Sequence, residues 1–433
     1  MARKSQYPPS VKPGIPKKPH LPEGWYFKSF DDVVEVVERP AQLQDDQEYQ
    51  LVTAKRSRGG IVPRERLLGE QILTKTQYYT NAGDFLISRR QIIHGACGLV
   101  PPELDGAVVS NEYSTLITKP GLLAEYLAYF SHTTYFQQTC FQSSVGVDVE
   151  KMIFKLDDWL RYKIPLPPLS EQKKIAEILS SVDEAIASTQ AVIDQTRKVK
   201  QGLLQQLLTR GIGHTKFKES AIGQIPENWK LIELKQLLSQ SIQNGYSPVC
   251  PNEVTGHWIL SLGAVSPDGF NPTCIKPAPI NDPKVFEFTL EPGDFLISRS
   301  NTRERVGFSA LFRGEIENCS YPDLLMRFRI NQNIILDNFL EIYLSSSNAL
   351  GYLQNAAAGT SGSMVKITKS VVEKLQVIVP PILEQQQICQ ATEEIQKTIK
   401  YSYQILDRLI KVKHGLMQDL LTGRVRVEIP PNK

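Results

Sequence analysis

The chain has 433 residues, enough for two to four domains at roughly 150 residues each. With 41% hydrophobic and 22% charged residues, 27 Gly and 28 Pro, it is an ordinary globular sequence, which excludes collagenous, low-complexity and disordered acidic classes. Lys and Arg number 49 against 46 Asp and Glu, so the net charge of +3 says little about partners; any nucleic-acid surface must come from local clustering.

Residues 1–21 open with MARKSQYPPSVKPGIPKKPH, whose five prolines and five Lys/Arg suit neither helix nor core, so a mobile arm is expected there. The segment lacks the apolar run of a signal peptide. No stretch of about 18 uninterrupted apolar residues follows, so a cytoplasmic chain with no membrane span is expected. Six cysteines without a C-x-x-C pair are expected to be free thiols in a reducing compartment.

After the arm come two copies of one ordered series of segments. Each opens on PE-x-W, at Pro22 to Trp25 and, 204 positions later, at Pro226 to Trp229. Each continues through a strand-like segment, AGDFLISRR at Ala82 to Arg90 and PGDFLISRS at Pro292 to Ser300, 210 apart at the Gly-Asp pair. Each closes on a double proline, a Glu-Gln pair and a long helical pattern, PPLSEQKKIAEIL from Pro167 and PPILEQQQICQAT from Pro380, 213 apart. Length changes thus accumulate in the globular parts. From Glu171/Glu384 to Thr209/Thr422 the offset stays at 213, which implies rods of fixed length.

The helical patterns are heptads. One seam row holds Ile175, Val182, Thr189, Thr196 and Leu203, answered by Ile388, Ile395, Ser402, Leu409 and Leu416. The other is read as Ile178, Ala185, Val192 and Val199, answered by Ala391, Thr398, Ile405 and Val412. Two such helices pack most simply on each other, and a pseudo-twofold between the repeats makes them antiparallel. Pro167-Pro168 and Pro380-Pro381 bar helix upstream, Ser170 is placed to cap, and Gly211 and Gly423 end the runs. From Glu171 to Leu208 this is a rod of about 57 Å at about 1.5 Å per residue.

Short β-rich runs (FLIS, GAVVSN, LLMRFRI) alternate with helical ones (LLAEYLAYFSH, FLEIYLSSSNALGYLQ) in the globular parts. The expected architecture is therefore two α/β (α+β) domains, residues 22–165 and 214–378. Long helices at 166–213 and 379–425 form an antiparallel coiled coil between them, and 426–433 is a tail.

Catalytic signatures are missing. There is no N/D-P-P-Y/F loop, no Gly-Lys phosphate loop at GTSGSMVK from Gly359, and no His spacing suited to a metal. Glu227, Glu233 and Lys235 imitate a nuclease carboxylate cluster, but their spacing is short and the first copy has no lysine in place. Binding remains. Basic and amide side chains gather around each GDFLIS segment: Lys55, Arg56, Arg58, Arg89, Arg90 and His94 in the first copy, and Arg299, Asn301, Arg303, Arg305 and Arg313 in the second. Arg makes bidentate contacts to guanine edges and phosphates and Asn reads adenine, so such loops suit duplex DNA.

The two PE-x-W starts, two GDFLISR segments and two PP-x-x-EQ heptad helices together resemble a type I restriction-modification specificity subunit, from Leu21 to Val427. GACGLVPPELDGAVVSNEY at Gly95 to Tyr113 is similar to one subgroup of that family's first target-recognition domains. The resemblance implies a non-catalytic DNA reader: each globular domain reads one half of a split target, and the coiled coil, with Ile175, Val182, Val192, Leu203, Ile388, Ile395, Ile405 and Leu416 in its seam, sets the spacer. It further implies two modification subunits carrying S-adenosylmethionine chemistry and restriction (translocase) subunits using ATP and Mg, with no cofactor or metal in this chain. A coiled-coil scaffold, another DNA-binding adaptor and a stand-alone nuclease are the alternatives.

Overall fold

The computed structural model describes residues 7–359 and 364–428; the start of the arm, part of the Gly/Ser-rich stretch and the last five tail residues lie outside the described residues. The chain divides into two compact units, Met1–Gln190 with Gln404–Lys433, and Ala191–Tyr403. The long helices are therefore not separate bodies: each unit owns one globular domain and half of each helix.

In the first unit the strand Phe85–Ser88 is the middle of an antiparallel sheet ordered Val34–Val37, Tyr113–Thr118, Phe85–Ser88, Cys97–Leu99. All four of its side chains are buried, because both sheet faces are covered. Alternation splits them: Phe85 and Ile87 enter a core with Phe30, Leu116, Phe136 and Trp159, while Leu86 enters a second core with Val52, Ile61, Ala96 and Val109. That second core is walled by a five-stranded sheet ordered Pro40–Ala41, Gln77–Tyr79, Val108–Ser110, Glu48–Ala54, Ile61–Leu68.

The second unit repeats the frame. Its sheet runs Leu238–Asn244, Leu325–Ile330, Asp294–Ser298, Ser309–Phe312. Phe295 and Ile297 enter one core and Leu296 another, walled here by a three-stranded sheet. The helical run FLEIYLSSSNALGYLQ forms two helices, Asp337–Leu344 and Ser347–Asn355, because Ser346 caps the second by accepting from Ala349 N.

The repeated motif residues are structural. Asp84 and Asp294, the aspartates of the two Gly-Asp pairs, are buried and clamped by arginines: Arg39 Nη1 donates to Asp84 at 2.6 Å, and Arg329 Nε to Asp294 at 2.6 Å. Gln172 accepts from Leu123 N and donates to the carbonyls of Gly121 and Pro167; Gln385 does the same with Leu336 N, Ile334 and Pro380.

The helices are Leu169–Arg210 and Ile382–Leu420. The first starts two residues earlier than expected, so Ser170 lies inside it; the Pro168 carbonyl accepts from Glu171 N and Gln172 N instead. Gly211 (φ +63°) and Gly423 (φ +71°) end the rods, and each is a close approach: a Cβ there would lie 2.7 Å from Trp229 or 2.3 Å from Pro22. In the first unit Glu171 faces Arg426 and Asp183 faces Lys413; in the second Glu384 faces His214 and Gln396 faces Lys200. Rising numbers meet falling ones, so the helices pair antiparallel within each unit.

In the first row Ile175, Ile388 and Ser402 are buried, whereas in the second row burial is displaced by one residue from the positions read. Val192, Val199 and Val412 are 50%, 52% and 50% exposed and Ile405 is also outside, whereas Leu179, Ile193, Thr392, Ile399 and Leu420 are buried. The seam row is thus Leu179, Ile186, Ile193, Lys200, Leu207 and Thr392, Ile399, Leu406, Lys413, Leu420. Rows through 178 and through 179 both alternate steps of three and four from Ile175 to Val182, so with apolar residues at both positions the spacing fits either and the opposing helix decides.

The ends of the chain also differ from expectation. Residues 7–14 of the arm, expected to be mobile, lie against the helix Thr134–Gln142: Val11 is buried, Tyr7 meets Phe141 edge-on at 5.6 Å, and Gln138 and Gln142 donate to the carbonyls of Pro13 and Gly14. At the other end Arg426 and Val427 pack on the first domain, so residues 426–427 are part of it rather than a tail.

Candidate nucleic-acid interface

In the first domain the basic turn after Glu48–Ala54 and the loop after Phe85–Ser88 form one surface. Ser57 and Arg58 adopt positive φ (58° and 64°), which turns their amides towards the neighbouring loop. Ser57 N donates to the His94 carbonyl at 2.7 Å and Arg58 N to the Gly95 carbonyl at 3.1 Å. The cluster nominated from sequence is therefore contiguous, but its members do different things.

Arg56 is spent internally: Nε donates to Gln91 at 2.7 Å and Nη2 to Glu150 at 2.5 Å, which holds the Glu150 carboxyl below its ordinary range. Arg58 turns inward, its Nε buried without a hydrogen-bond partner, and burial lowers its pKa. His94 is fully buried and burial pulls it down, so the ring is neutral near pH 7. Arg90 is exposed and pairs through Nε with Glu112 at 2.7 Å; the hydrogen bond raises the guanidinium and lowers the carboxyl. Lys55 and Arg89 make no side-chain hydrogen bond or ion pair among the described residues.

Arg89 lines a groove of about 740 Å³ with Tyr78, Asn111, Tyr113, Lys155 and Arg161. The sequence reading missed Asn111 and Lys155 because it followed arginine-rich runs; the SNEY segment before the strand Tyr113–Thr118 was the available signal. Glu38, Asp157 and Asp158 line the groove too, so an amide, two phenols, three cations and three carboxylates offer donors and acceptors for base edges in one concave strip.

The second domain seats Arg299 as the first seats Arg89. Arg89 N donates to Glu112 O and its carbonyl accepts from Phe154 N; Arg299 N donates to Leu324 O and its carbonyl accepts from Ile367 N. Arg303 donates to the Gln354 carbonyl at 3.2 Å, and Asn301 caps Thr302 N at 2.9 Å. Arg305 is exposed, with no side-chain hydrogen bond or ion pair among the described residues. Arg313 does not join this group. It lies beyond the far end of Ser309–Phe312, where Nη2 donates to Glu341 at 2.6 Å and to Asn338 at 2.9 Å.

Among the described residues no group of His, Cys, Asp and Glu suits a metal ion, and no helix is long and apolar enough to cross a membrane.

Residues 22–196 match the type I restriction modification DNA specificity domain family. Over 430 residues the chain is 26% identical to the type I restriction enzyme MjaVIII specificity subunit of Methanocaldococcus jannaschii, covering 94% of each. It is 27% identical to the EcoKI specificity subunit of Escherichia coli K12, over 71% of this chain and 66% of that one. In fold it is similar to a chain from a solved structure of a type I R-M system's assembly and conformational transition: TM-score 0.55, 18% identity, 94% of this chain and 100% of that one. The repeated frame, the divergent loops and these likenesses converge: residues 22–196 match the type I restriction modification DNA specificity domain, and the chain is similar to type I restriction enzyme specificity subunits over most of its length.

Proposed function

We propose that this chain selects a bipartite DNA sequence for a type I restriction-modification complex, its first domain reading one half-site and its second the other. The observation that carries the reading is the shared backbone seat of Arg89 and Arg299. Two domains with one frame and different loops present a basic side chain at the same point, as two readers of different half-sites require. Lys55, Arg89 and Arg90 serve the first half-site, and Arg299, Asn301, Arg303 and Arg305 the second. Arg56, Arg58 and His94 shape the surface from within, and Arg313 stabilises the second domain.

In this reading the chain is a non-catalytic cytoplasmic subunit. Two modification subunits, which bring S-adenosylmethionine, and restriction subunits, which use ATP and Mg, dock on it, and the coiled coil sets the unspecified spacer.

The test is methylation mapping of genomic DNA in the source cell with and without this gene. Loss of one split adenine-methylated motif on deletion supports the reading. An unchanged methylome, with no salt-dependent DNA binding by the chain assembled with its modification subunit, overturns it.

A further inference from the structure

We propose that the N-terminal arm is a positioning element of the first recognition domain: it holds the loop that carries Arg89 and Arg90, so it tunes the first half-site alone. This rests on the DNA-reading role proposed above.

A chain of contacts joins four segments distant in sequence. Ser10 Oγ and His94 Nδ1 are hydrogen-bonded at 2.9 Å. His94 Nε2 approaches Glu150 Oε1 at 3.3 Å without hydrogen-bond alignment, Glu150 binds Arg56, and Arg56 binds Gln91. The same His94 supplies the carbonyl that holds Ser57 N. The arm thus holds the side chain of a buried residue whose backbone carbonyl holds the basic turn.

The arm is built to stay there. Val11 is buried, and two glutamine side chains of the helix Thr134–Gln142 clamp the Pro13 and Gly14 carbonyls beyond it. An anchored backbone positions the Ser10 hydroxyl at little further entropic cost, whereas a loose one would have to be ordered by a single hydrogen bond.

Among the described residues the second domain has no counterpart. Ahead of its PENW start, Phe217–Ser220 pairs with Gly223–Pro226 as a hairpin, and its loop 299–308 contains no histidine. An effect of the arm is therefore confined to one half-site, and the other half-site is an internal control.

The experiment uses the assembled specificity and modification subunits on a library of bipartite duplexes, with methylation counted at every position. Four proteins are compared: wild type, Ser10→Ala, Ser10→Thr, and a deletion of residues 1–14. Ser10→Ala is expected to lower discrimination at one or more first-half-site positions by about fivefold, the worth of one net hydrogen bond. Ser10→Thr should restore it, and the deletion should lower it further, with the second half-site and spacer unchanged in all. Wild-type discrimination in both Ser10→Ala and the deletion would overturn the inference. So would an equal loss at both half-sites, which would make the arm an assembly element. If wild type itself methylates no split motif, the DNA-reading role falls, and this inference with it.

Discussion

The indole Nε1 of Trp25 donates to the Glu171 carboxylate at 3.0 Å across 146 residues of chain, and Trp229 repeats this with Glu384 at 2.9 Å. Both carboxylates are buried and both take a second cationic or polar partner, Arg426 for Glu171 and His214 for Glu384. PE-x-W and the Glu-Gln pair are thus two halves of one joint between the start of a domain and the base of a long helix. Glu171→Ala leaves the indole and Arg426 without their acceptor and should cost about 2–4 kcal/mol. Trp25→Phe, which removes only the donor and some packing, should cost less. Denaturant unfolding checks both, and a Glu171→Ala midpoint equal to wild type contradicts this joint.

Lys200 and Lys413 occupy the same seam position 213 apart; Lys200 Nζ donates to Gln396 at 2.5 Å and Lys413 Nζ pairs with Asp183 at 2.6 Å. Burial lowers the Lys200 pKa, so its charge is held at a cost. A polar seam residue fixes register at the expense of stability. Lys200→Leu should raise the unfolding free energy by about 1 kcal/mol, and the double leucine variant should broaden the spacer lengths accepted in methylation assays. Lower stability in the single variant would reverse this view of the lysine.

Arg89 and Arg58 separate reading from folding. Arg89→Ala should weaken or relax the first half-site by about 1–3 kcal/mol while leaving the unfolding free energy within about 0.5 kcal/mol. Arg58→Ala should move the midpoint and leave the motif intact. Binding titrations on first- and second-half-site mutant duplexes decide between them, and the opposite pattern would exchange their roles.

His132 links stability to pH. Burial, with Lys413 and Arg58 nearby, pushes its imidazole down to about 4 from 6.5. Between those values the unfolded chain takes up a proton that the folded chain refuses. The contribution is complete above about pH 6.5 and is lost as pH falls towards 4, by at most about 3 kcal/mol. His132→Gln should flatten that slope; parallel stability profiles for the two proteins from pH 7 to 4.5 would exclude it.

The spacer role is testable by matched insertion. One heptad placed after Thr189 and one after Ser402, equivalent seam positions, keeps the seam in phase and adds about 10.5 Å to each helix. The methylated motif should gain about three base pairs of spacer, at about 3.4 Å each, with both half-sites unchanged. An altered half-site would refute the ruler.

Much of this architecture is local enough to be written in the chain. The duplication, the rod ends at Gly211 and Gly423, and the buried FLIS strands depend on composition, spacing and backbone permission, which neighbouring residues control. The family resemblance follows from the same motifs. Which face of each rod is buried was not so local: Ile178 and Leu179 are both apolar and adjacent, and only the opposing helix offers a hole to one of them. The interface divides likewise. That Lys55, Arg56, Arg58, Arg89 and Arg90 gather around one strand was legible from their positions. Which of them are drawn in was settled by residues far along the chain: Glu150 takes Arg56, and the interior beside Gly95 takes Arg58. Short-range pattern determines where elements begin and end. The pairing of charges and the choice of a buried face are decided only when distant segments meet, because both depend on the partner that arrives.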